Sequence, residues 1–133
     1  MATLTTPPVL VEPDERAVRA HRGDIITETV FWMQHDPARF TRFECTRSEA
    51  GPPHSIRAKF YVAHDLTAYS LRFPRAALGK ATLWWDPYDR GHWQRLKTFD
   101  LSAFSSGQAL AEDVIEFLDS DYMYDLHRGL DVD

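Results

Sequence analysis

A single cysteine, Cys45, stands among the 133 residues. It can form no intramolecular disulfide and no cysteine-based zinc site, and among alternating neighbours it reads as a small core side chain rather than a reactive thiol. The chain has no run of about 18 apolar residues to span a bilayer. Its start, MATLTTPPVLVEPDE, lacks the basic opening and long apolar core of a secretory signal. These absences predict a cytoplasmic protein with no membrane contact.

Signatures of chemistry are missing too. His21, His35, His54, His64, His92 and His127 show no His-x-x-x-His or His-Glu-x-x-His spacing, which would set two ring nitrogens on one helical face for a metal. No glycine-rich phosphate loop occurs, and the acidic stretch 119–125 lacks the glycine and spacing of a calcium loop. His35-Asp36 and His64-Asp65 are adjacent pairs at expected turns. Adjacent residues of an extended chain point to opposite faces, so neither pair is set up as an acid/base dyad, and turn roles suit the aspartates. The expectation is a non-enzymatic protein with no metal and no cofactor.

What is present suits one packed domain: 44% of residues are hydrophobic and 13% aromatic. The net charge of −5 is unevenly spread. Residues 1–38 hold six acids and three bases, residues 39–97 five acids and eleven bases, and residues 98–133 nine acids and one base. A basic middle beside an acidic end fits a polyanion-binding face, an acidic partner surface, or two ends that neutralise each other.

The centre of the architecture is Gly79–Leu101. Two segments rich in strand formers, Ala81–Trp85 and Trp93–Phe99, flank the turn cluster Asp86-Pro87-Tyr88-Asp89-Arg90-Gly91 and predict a hairpin holding three of the four tryptophans. Upstream, strands are predicted at 39–47, 54–63 and 66–73. Ile56, Ala58, Phe60 and Val62 share one face of the second, while Tyr69, Leu71 and Phe73 oppose Ser70 and Arg72 in the third. Val9–Val11 suits a short edge strand. Pro13, Asp14 and Glu15 open a short helix over 13–22, with Gly23 as its stop. In 24–34 a helical stripe of Ile25, Ile26, Val30 and Met33 competes with a high density of β-formers, and the strand is preferred. Ser105 with Gln108 caps an amphipathic helix over 106–119, in which Leu110, Val114, Phe117 and Leu118 face the sheet.

The resulting expectation is an α+β domain. An antiparallel β-meander of five or six strands, curved or barrel-like, is packed by a C-terminal helix and a short N-terminal helix, with a cavity-bearing helix-grip fold as the structural rival. Residues 1–12 form a poorly ordered lead-in, 13–120 the domain, and 121–133 an acidic tail. Two surfaces qualify for binding. The basic strands offer Arg57, Lys59, Tyr61, Arg72, Trp93, Arg95 and Lys97, cations and flat rings suited to single-stranded nucleic acid or to an acidic partner. The acidic end offers Glu112, Glu116, Asp119, Asp121, Tyr122 and Tyr124 as an aromatic docking segment for a protein partner.

Arg42-Phe43, then Pro53-His54-Ser55-Ile56 running into Phe60, then Phe73-Pro74-Arg75-Ala76-Ala77-Leu78, and finally Phe117-Leu118-Asp119 are similar to the landmarks of the SsgA-like regulators of sporulation and cell division in filamentous actinobacteria. The resemblance covers roughly half the chain. It departs from the family at Pro-Pro-His-Ser-Ile, in the longer loop before it, in the first 38 residues, and in lacking the family's tail after the Phe-Leu helix. It implies a small, non-enzymatic, oligomeric regulator that acts through protein contacts, on a curved sheet like that of single-stranded nucleic-acid-binding proteins. Protein-contact regulation is therefore the leading expectation for function, and single-stranded nucleic-acid binding the alternative.

Overall fold

The computed structural model describes residues 15–48, 53–62 and 67–132, with side chains through residue 126. The lead-in, the Val9–Val11 strand, the helix start at Pro13-Asp14, the His64-Asp65 pair and the end of the acidic tail lie outside the described residues or side chains.

Helix α1 (Glu15–Gln34) precedes five strands, β1 (Thr41–Arg47), β2 (Ile56–Tyr61), β3 (Ala68–Phe73), β4 (Lys80–Asp86) and β5 (Gln94–Asp100). A 3-10 turn at Leu101–Ala103 leads into α2 (Gly107–Leu118) and α3 (Asp121–Val132). All strand pairs are antiparallel between sequence neighbours, in the order β1-β2-β3-β4-β5. The meander and the α+β class are as the alternation indicates. The sheet is open rather than closed into a barrel, with β1 and β5 as its edges.

The strand preferred for 24–34 and the helix stop at Gly23 are both overturned, because one helix runs through the whole stretch. Arg22, Ile25, Thr29 and Met33 are its buried stripe. β-Branched residues resist a helix only weakly, and burying this stripe outweighs their preference. Helix α1 packs chiefly on α2. At their crossing Gly107 meets the α1 backbone: a Cβ there would lie 2.2 Å from the Thr29 nitrogen. The Gly107 amide donates to Glu28 Oε1 (2.9 Å), so an α1 carboxylate satisfies an orphan donor at the α2 N-terminus. Ser106, one residue past the expected cap, accepts from the Ala109 amide.

The acidic end is a third helix rather than a plain tail. Ser120 Oγ accepts from the Met123 amide, and Met123 is fully buried in the common core. That core joins Ile25 and Met33 of α1, the inward faces of the strands, Leu110 and Val114 of α2, and Met123. All three helices therefore contribute to the layer on one face of the sheet. Cys45, expected inside, is exposed. Its register partner Ala58 is a core residue, but Cys45 lies on the edge strand, where the core layer ends.

Candidate binding face of the sheet

Period-two alternation turns half of each strand away from the helices. The strand register assembles that open face in rows. One row runs Thr46, Arg57, Arg72, Thr82, Thr98, and the next runs Glu44, Lys59, Ser70, Trp84, Arg95. Arg57, Lys59, Tyr61, Arg72, Trp93 and Arg95 are thus brought to one surface. Lys97 is not. It pairs with Leu83, while Arg95 pairs with Trp84, because a register shift between Leu83 and Trp84 takes up the extra residue Leu96 and turns Lys97 to the other face. Its ammonium lies 4.9 Å from the Phe99 ring centre and 5.3 Å from that of Phe117.

Arg72 is the centre of the face. Its guanidinium lies 4.7 Å from the Trp84 ring centre and 5.0 Å from that of Trp93, and its Nε donates to Ser70 Oγ. Directly across the β2–β3 ladder stands Arg57. Like charges placed opposite each other in a sheet repel. Desolvation first, and the charge of Arg57 second, push the Arg72 guanidinium below its ordinary pKa. No carboxylate occurs in the Thr46–Arg57–Arg72–Thr82–Thr98 row. A cavity of about 210 Å³ opens beside the pair, lined among others by Ser55, Arg57, Arg72, Thr82 and Trp84.

Tyr61 marks a second cluster, where the acids of the face gather. Its hydroxyl donates to Asp89 Oδ2 (2.7 Å), and Lys59 reaches Asp89 Oδ1 at 3.5 Å. The Tyr61 bond holds the Asp89 carboxyl below the usual carboxylate range, while burial and that bond raise the Tyr61 phenol. Burial pulls the Lys59 ammonium down, and Tyr61 and Asp89 more than offset it, so its net shift is upward. The Tyr61 ring is buried, with Arg42 at 4.5 Å and Lys59 at 5.7 Å from its centre. It serves as a support for cations, not as an open stacking platform. Arg42 reaches the ring because β1 is irregular between Thr41 and Glu44, where Arg42 takes a φ of 54°.

Trp84 and Arg42 are the residues that sequence reasoning missed. Strand alternation carried the signal for Trp84, since adjacent Trp84 and Trp85 must face opposite sides. Trp85 is the core member, 2% exposed and donating to Thr67 Oγ1. Arg42 had no such signal, because a bulge is invisible to a period-two pattern.

The acidic residues fall on the helical side. Glu112 accepts two bonds from Arg39, at 3.0 and 2.7 Å, and these bonds hold its carboxyl below the usual range. Asp119 is the C-cap of α2, and Glu116 and Asp121 are exposed. Tyr122 and Tyr124 are exposed, with the Tyr122 ring 5.8 Å from that of Phe117. Of the histidines, His21, His35 and His54 each place a ring nitrogen on a backbone carbonyl, of Leu101, Phe31 and Ser48 respectively. Among the described residues no group of three or more His, Cys, Asp or Glu could hold a metal ion, and no helix is long and apolar enough to cross a membrane. No family model, curated protein or solved structure matches this chain.

Proposed function

We propose that this protein is a non-enzymatic binding protein and that the open face of its sheet takes single-stranded nucleic acid. The observation that carries the reading is the Arg57–Arg72 pair: two cations held opposite each other on an exposed face, in a row without a carboxylate. Such a pair costs stability unless an anion sits over it. Trp84, Trp93 and Arg95 adjoin it, so flat rings for stacking lie beside charges for phosphates. The acidic helices, which would repel a phosphate backbone, pack on the opposite face of the sheet.

The test is fluorescence anisotropy of a labelled oligothymidylate with wild-type protein and with Arg57→Glu, over a range of salt. Contacts from Arg57, Arg72 and Arg95 predict a log–log salt slope near about −2, from about −0.7 per phosphate neutralised on a single strand. Arg57→Glu should flatten the slope and weaken binding. Salt-independent binding, or no binding at low salt, would overturn the proposal.

A second reading keeps protein contact as the function, in keeping with the likeness to SsgA-like regulators of division and sporulation. It is favoured by Phe31 and Trp32, exposed by 52% and 42% near the end of α1, where Phe31 stacks on His35. Self-association through these rings would make the protein a homo-oligomer whose mass by light scattering falls in Trp32→Ser. A monomeric wild type would refute that version.

A further inference from the structure

Between α1 and the ends of β1 and β2 lies a cavity of about 320 Å³, at the lower end of the range for small-molecule sites. Its walls include Ile26 and Ile56, and its polar lining is Arg19, Arg22, Thr27, Arg47 and His54. No acidic residue lines it among the described residues. Arg22 is only 6% exposed, and a buried arginine is rare unless an acid pairs with it. Here its partners are two backbone carbonyls, of His54 (2.7 Å) and Phe73 (3.0 Å). Its Nε is buried with no hydrogen-bond partner. Carbonyl dipoles hold the guanidinium in place without neutralising it, and desolvation lowers its pKa as expected for a buried cation.

Arg47 adds a second guanidinium from the end of β1, exposed and in no ion pair among the described residues. Arg19, the third, is shared with Glu15 at 2.9 Å. His54 donates its Nδ1 proton to the Ser48 carbonyl, which leaves Nε2 as its second polar atom.

We propose that this cavity binds a small organic carboxylate, its head between Arg22 and Arg47 and its apolar body against Ile26 and Ile56. Arg47 suits a carboxylate because two parallel N–H bonds of a guanidinium match its two oxygens. Arg22, whose Nη2 hydrogens are taken by the His54 and Phe73 carbonyls, adds its unneutralised charge beside it. Apolar walls favour a singly charged head with a hydrocarbon body over a bare dianion, whose desolvation they cannot repay. The site is on the helical side of the sheet and does not depend on the open face.

The test is calorimetric and thermal-shift titration of the full chain with hexanoate, with hexanamide and inorganic phosphate as controls at matched ionic strength. Hexanoate should bind saturably and raise the melting temperature, and neither control should. Arg47→Gln, an exposed change that leaves Arg22 and its bonds in place, should weaken hexanoate about tenfold, the effect of losing one charge-assisted pair. Arg57→Gln on the open face should leave it unchanged. Equal shifts from hexanamide or phosphate, absence of saturable binding at millimolar hexanoate, or an unaltered affinity in Arg47→Gln would each overturn the proposal.

Discussion

Replacing a helical glycine by alanine ordinarily stabilises a protein by up to about 1 kcal/mol, because alanine has less backbone entropy to lose. Gly23 and Gly107, both within helices, should respond in opposite directions. A Cβ on Gly23 would meet nothing within 4 Å, so Gly23→Ala should gain about 0.5–1 kcal/mol. On Gly107 it would lie 2.2 Å from the Thr29 nitrogen and 2.5 and 2.6 Å from Glu28 Cβ and carbonyl carbon. Two of these atoms are backbone and cannot swing aside, so α1 and α2 must separate at their crossing. Overpacking costs about 1–3 kcal/mol, and backbone contacts put this case at the upper end. The Glu28 bond to the Gly107 amide would stretch as well. After the intrinsic gain of alanine, Gly107→Ala should be destabilised by about 2 kcal/mol. For a chain of this length the unfolding entropy makes 1 kcal/mol worth about 3–4 °C, so Gly107→Ala should melt about 6–8 °C lower and Gly23→Ala about 2–4 °C higher. Circular dichroism melts of both variants check this. A Gly107→Ala protein as stable as the wild type would refute the close crossing of α1 and α2.

Other perturbations have equally definite outcomes. Asp86 is buried and accepts from the Arg90 amide (3.2 Å) and the Gly91 amide (2.7 Å), so it ties the β4–β5 turn; Asp86→Ala should cost about 1–3 kcal/mol in urea unfolding, and Asp86→Asn less. Arg72 and Trp84 should show a coupling of about 1–2 kcal/mol in a double-mutant cycle, since the guanidinium is partly desolvated against the ring. The exposed Arg39–Glu112 pair should couple by no more than about 1 kcal/mol. Because the folded state depresses the Glu112 carboxyl, that contribution is present above the unfolded carboxyl value of about 4.3 and is lost as pH falls through the lower folded value, so the cycle repeated at acid pH should give no coupling.

The sequence made the strands legible and left α1 hidden. Strand β2 alternates cleanly because one side faces the core and the other does not: Ile56, Ala58 and Phe60 are buried, whereas Arg57 is exposed. The hairpin turn was equally readable, since Asp86 and Gly91 meet a local requirement, and Gly91 takes the positive φ of 83° that its type permits. Residues 24–34 gave a false reading because local preference favoured a strand, while the deciding energy is the burial of Ile25, Thr29 and Met33, which depends on α2 eighty residues away. The candidate site was legible to the same extent as the register. Arg57, Lys59, Tyr61 and Arg72 follow from alternation alone. Lys97 and Arg42 are moved by bulges, which no residue pattern in the chain announces. The Arg22 site joins an expected helix to strand ends through backbone carbonyls, and backbone partners leave no trace in side-chain chemistry.

The central claim is that ligand lands on the open face of the sheet, and the four tryptophans report on it separately. Trp84 and Trp93 stand on that face, Trp85 is in the core, and Trp32 is exposed on α1. The most direct measurement is a two-dimensional NMR titration of the indole N–H signals with an oligothymidylate. The signals of Trp84 and Trp93 should move together and saturate, with those of Trp32 and Trp85 nearly still. Movement of Trp32 alone, or no movement at any indole, would contradict the account.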